Sequence, residues 1–88
     1  MPKQVVISKK PDLTDPIDFA VLSQFIRHKR TSLDMTLEDA ASLCNLSKQA
    51  YSNVEKGISN IRVETLFKVL VALGIALSIV EQGDGDDW

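Results

Sequence analysis

From residue 15 onward, apolar residues recur every three or four positions, the spacing of helices that bury one face. In "DPIDFAVLSQFIRHKR", Phe19, Leu22 and Ile26 keep that spacing, and Asp15 as cap with Pro16 in the first turn predicts a helix ending near Thr31. "SLDM" breaks the pattern, with Asp34 suited to a left-handed turn. Thr36 and Asp39 then have the spacing of a capping box, and "LEDAASLC" turns Leu37, Ala40, Ala41 and Cys44 inward. Asn45 tolerates a positive φ and can end that helix within one residue. Leu46 returns to the core, and Ser47 can cap a third helix whose inner side is Ala50, Tyr51 and Val54. After Gly57 the loop "ISNIR" leads into "VETLFKVLVALG", a fourth helix with Leu66, Val69, Leu70 and Leu73 on one face and Gly74 as its stop.

Both ends of the chain depart from this pattern. Residues 1–14 hold two prolines and the β-prone "QVVIS", which predicts an arm able to add an edge strand. In "GIALSIVEQ", Ile75, Leu77 and Ile79 alternate with Ala76, Ser78 and Val80, a period of two that predicts a strand over 75–81. A strand needs a partner for its backbone groups, and either "QVVIS" or the same strand of a second copy could supply one. The second copy is the favoured partner. The chain therefore divides into an N-terminal arm (1–14), a helical domain (15–74), a dimerisation strand (75–81) carrying Ile75, Leu77 and Ile79, and a flexible acidic tail (82–88).

Helices two and three are short, lined with alanine and joined by three or four residues, which is the build of a helix-turn-helix. Opposite the inner side of helix three, Lys48, Gln49, Ser52, Asn53 and Lys56 fall within about 140° of arc at about 100° per residue. Two cations and no carboxylate lie on that strip, and Glu55 falls outside it. Lysine donates to guanine O6 and N7, glutamine and asparagine pair with adenine N6 and N7, and serine serves bases or phosphates. Lys48, Gln49, Ser52 and Asn53 are thus candidate base contacts. Lys56, the loop residues Ser59, Asn60 and Arg62, and Arg27 and Arg30 near the end of helix one are candidate phosphate contacts.

The net charge of −2 changes meaning once it is mapped. Residues 1–80 carry all ten Lys and Arg against eight of the twelve acids, a balance of +2, and "EQGDGDDW" carries the other four. That tail is not expected to face DNA, and Trp88 within it is a candidate for docking on a partner, with folding back on its own domain as the alternative. Cys44 and His28 each stand alone, which leaves no intrachain disulfide, multi-thiolate metal site or Ser-His-Asp arrangement, so neither catalysis nor a cofactor is expected. The longest apolar run is too short to span a bilayer and no signal-peptide core opens the chain, so a cytoplasmic protein is expected.

Taken together, "TLEDAASLCNLSKQAYSNVEKG" and "TLFKVLVALG" resemble the lambda-repressor-like, or Xre, helix-turn-helix family over roughly residues 18–74. The resemblance rests on Ile26-Arg27, Thr36, the small Ala41, the turn at Asn45, the helix from Ser47 to Val54, and Glu55 with Gly57. It implies an all-α domain of four to five helices, here with a short C-terminal β-strand used in dimerisation, that binds a palindromic operator. Lys48, Gln49 and Asn53 match base-reading positions of the family; Ser47, Ser52 and the loop from Ser59 to Arg62 match phosphate-contacting ones. Leu37 stands where the family usually has a glutamine, and Asn45 where it has a glycine. The last third, "TLFKVLVALGIALSIVEQ", is most similar to HipB-type antitoxins, which implies a homodimeric repressor that also holds a HipA-like kinase toxin. Two other readings stay open: a stand-alone regulator of the same fold, or a protein-interaction module that has lost DNA binding, which Leu37 and the low pI would suit.

Overall fold

The computed structural model describes residues 5–58 and 60–81. Four helices follow in order: α1 (Phe19–Ser32), α2 (Leu37–Leu43), α3 (Lys48–Glu55) and α4 (Val63–Ala72). Side-chain caps begin the first three helices, and local backbone turns end all four. The Asp18 side chain accepts from Val21 N, Thr36 and Asp39 form a complete capping box, and the Ser47 hydroxyl accepts from Ala50 N at 3.1 Å. The cap of α1 is therefore Asp18 and its first residue Phe19, rather than Asp15 and Pro16. An aspartate three residues before Val21 reaches an otherwise orphaned amide, while Asp12 binds Thr14 and the chain bends at Thr14 and Asp15.

All four helices close in the same way. One residue after each cap takes a positive φ: Asp34 (61°), Asn45 (59°), Gly57 (70°) and Gly74 (72°). At the end of α2, Asn45 N donates to Ser42 O and Leu46 N to Ala41 O, the paired bonds of a Schellman motif. The same pair of bonds recurs after α1, α3 and α4. A repeated stop of this kind keeps each helix short and turns the chain sharply into the next one.

The core sits where the four helices meet. Ile26 comes from α1, Ala40 and Ala41 from α2, Cys44 from its cap, Tyr51 and Val54 from α3, and Val69, Leu70 and Leu73 from α4 and its cap. Leu37, Leu46, Leu66 and Ile75 pack against it half-buried. Ala40 is 0% exposed, so the α2 backbone lies close against its neighbours, and α2 packs chiefly on α3. Burial pushes the Cys44 thiol up, offset in part by Lys68. Burial, followed by the nearby Glu55 carboxylate, raises the Tyr51 phenol well above its usual range, so both groups stay protonated at neutral pH.

Among the described residues there is no strand. The alternating segment at 75–81 leaves α4 through Ile75 and then runs without a ladder, and residues 5–8 of the arm form none either. Neither finds the paired backbone that a strand requires within this one chain. The arm is instead held against α1: Ser8 N donates to Thr31 Oγ1 at 2.8 Å, Ser8 O accepts from His28 Nδ1 at 2.7 Å, and Lys10 Nζ lies over the Phe25 ring, 6.0 Å from its centroid. The tail at 82–88, with Trp88, lies outside the described residues. None of the helices described is long and apolar enough to cross a membrane.

Candidate nucleic-acid interface

The surface of α3 follows from how its inner side is locked. Tyr51 and Val54 are 0% exposed, which fixes the helix in rotation and leaves Lys48, Gln49 and Lys56 exposed, with Ser52 and Asn53 half-buried beside them. Gln49 Nε2 donates to Asn53 Oδ1 at 3.0 Å, one helical turn on. That bond aligns the two amides along one edge, and leaves Gln49 Oε1 and the Asn53 amide nitrogen available for a base edge. Ser47 is exposed, and its hydroxyl oxygen accepts the capping bond while its own O–H remains a donor suited to a phosphate.

A second group of donors lies beyond Gly57. Asn60 and Arg62 are exposed, and Arg62 occupies the cap position of α4 without a side-chain bond to that helix, which leaves the first amides of α4 uncapped. Ser59 falls outside the described residues. Arg27 is exposed on α1. Leu37, by contrast, packs against the core, so the position that carries a phosphate-anchoring glutamine in similar proteins here contributes to stability alone.

Arg30 does not belong to this surface. It is 8% exposed; its Nε donates to Glu55 Oε2 at 2.6 Å, its Nη2 to Glu55 Oε1 at 3.2 Å, and its Nη1 to the Met35 carbonyl at 2.7 Å. The guanidinium thus joins α1 to the last residue of α3 as a two-pronged strut, and cannot also reach a phosphate. Its carboxylate partner Glu55 lies off the polar strip of α3, twenty-five positions along the chain.

Sequence reasoning also passed over Glu38. It stands in the first turn of α2, and its Oε2 lies 3.5 Å from Lys48 Nζ, an exposed ion pair at the entrance to α3. Among the described residues no group of three or more His, Cys, Asp or Glu is placed to hold a metal ion.

A short helix packed on a second one through a tight turn, with donors and amides on its outer face, defines a helix-turn-helix. The family model for helix-turn-helix proteins matches residues 26–80, more than half of the chain, and the chain belongs to that family, of the lambda-repressor-like or Xre type. Its members bind DNA. No curated protein matches the chain in sequence.

Proposed function

We propose that this chain is a transcriptional repressor that binds a palindromic operator as a homodimer in the cytoplasm, and that it is the HipB-like antitoxin of a toxin-antitoxin system, holding a HipA-like kinase toxin. The observation that carries the DNA reading is the outer edge formed by exposed Lys48 and Gln49 with half-buried Asn53, set opposite the fully buried Tyr51 and Val54. A helix so fixed can enter a major groove with its first residues toward the bases, while Ser47, Lys56, Asn60 and Arg62 meet the backbone. Repression requires only that the dimer occlude a promoter. The reading assigns no catalysis and no cofactor.

Dimerisation is supported by the C-terminal segment, where Leu77, Ile79 and Val80 are 53%, 95% and 82% exposed. Apolar residues so open to water, on backbone without a ladder, fit a strand that pairs across a two-fold axis. The two recognition helices would then lie about 34 Å apart, in successive major grooves. The antitoxin role rests on the resemblance of the last third of the chain, where Ile75 leads out of α4 into that segment.

Lys48→Ala and Gln49→Ala are each expected to weaken binding to DNA from the chain's own promoter by about 1–3 kcal/mol, measured by fluorescence anisotropy at fixed salt. Unchanged affinity in both would remove the base-reading role. Leu77→Asp should give monomers in light scattering; a variant that remains dimeric rules out pairing through this segment. For the toxin, capture from native extract followed by mass spectrometry should recover a kinase-like protein. A stand-alone regulator recovers none, and an interaction module shifts no promoter DNA.

A further inference from the structure

The ion pair between Glu38 and Lys48 puts an acid where a DNA-binding surface has no evident use for one. Both residues line an open cleft of about 540 Å³ between α2 and the start of α3, together with Ser42, Asn45 and Ser47. Their side chains are 72% and 58% exposed, and at such exposure an ion pair adds little to stability. The pair itself thus adds little to folding, to which Glu38 contributes the modest benefit of a carboxylate in the first turn of a helix, and phosphates repel that charge.

We propose that Glu38 and Lys48 act as one unit that reads a single G·C base pair in each half-site, Lys48 donating to guanine and Glu38 accepting from the cytosine N4 amine. The inference rests on the DNA-binding reading above and adds to it a residue of α2. An ionised carboxylate only accepts and an ammonium only donates. In the major groove, cytosine N4 and adenine N6 offer protons, whereas guanine O6 and N7 and thymine O4 do not. A donor and an acceptor held 3.5 Å apart therefore match a base-pair edge on which an acceptor adjoins a donor. Guanine O6 and cytosine N4 are such neighbours, because they are hydrogen-bonded to each other at about 3 Å.

The count of protons favours G·C over A·T. Lysine has three, and with one directed to Glu38 the remaining two match guanine O6 and N7. On an A·T pair, with Glu38 accepting from adenine N6, the ammonium would meet one acceptor only, adenine N7 on one side of that amine or thymine O4 on the other, and one of its protons would go unmatched. Glu38 also restrains the four-carbon lysine stem, which otherwise samples many directions. Without the carboxylate, Lys48 would donate to any nearby phosphate, and binding would lose discrimination while gaining strength on unrelated DNA.

The test is selection from a randomised duplex pool, followed by titration of the selected site and its single-pair variants, with the parent protein, Glu38→Ala and Lys48→Ala. Circular dichroism checks that each variant keeps its helices. The parent should select one G·C pair per half-site at which A·T weakens binding by about 5- to 150-fold. In Glu38→Ala that preference should fall to within about twofold, and affinity for unrelated DNA should rise. A Glu38→Ala protein that selects the parent motif with the same penalty at every pair overturns the assignment while leaving the DNA reading intact. A parent protein that selects no motif overturns both.

Discussion

Glu55→Ala is expected to lower the free energy of unfolding by about 3–5 kcal/mol, the cost of leaving one member of a buried ion pair without its partner. Arg30 and Glu55 side chains are only 10% and 7% exposed, so water cannot replace the lost carboxylate. The guanidinium would keep the Met35 carbonyl and lose both bonds to Glu55. Domains of this size are stable by about 5–15 kcal/mol, so the loss is a large fraction of the whole. At about 4–8 °C per kcal/mol, the melting temperature should fall by tens of degrees. Arg30→Met combined with Glu55→Leu should recover most of it, since an apolar pair of similar bulk needs no counter-charge. Urea titration of the parent and the two variants decides the matter: a Glu55→Ala protein within about 1 kcal/mol of the parent would show that the strut does not hold α3 in place.

Two neighbours on α4 should give opposite results. Leu70 is 2% exposed and belongs to the core, and Leu70→Ala should cost about 2–5 kcal/mol through lost burial and the cavity left behind. Val71, one residue on, is 79% exposed, and Val71→Ala should change stability by no more than about 0.5 kcal/mol. Similar losses in both variants would mean that α4 is rotated from the orientation described. The contrast isolates burial, since chemistry and sequence position are nearly matched.

The four helix-ending turns, each set by one residue's own chemistry, were legible in the sequence, whereas the start of α1 was not, because Asp15 and Asp18 both suit a cap. Asp34, Asn45, Gly57 and Gly74 mark the four turns because few residue types accept a positive φ, and each takes one. The inward face of α4 was legible for the same reason: Leu66, Val69, Leu70 and Leu73 share it by helical spacing alone. Arg30 was misread as a phosphate contact because its environment is set by Glu55, twenty-five positions away. Nothing within a helical turn of an arginine tells whether a carboxylate from another helix will meet it. Glu38 was missed likewise, since its neighbour Lys48 arrives only when α2 and α3 cross. The segment at 75–81 shows the opposite limit: its alternation was plain, yet alternation describes the two sides of a strand and cannot supply the backbone it must pair with.

Cys44 has a practical consequence for spectroscopy on this protein. The one thiol in the sequence is 5% exposed and held in its protonated, unreactive form by burial. Maleimide and nitroxide reagents should therefore pass it by in the folded state, so a cysteine introduced on the outside of α3 or at the end of the arm can be tagged selectively. Distances between such tags could then be followed during association without first removing the native sulfur, and the onset of Cys44 labelling on heating would itself report when the interior opens.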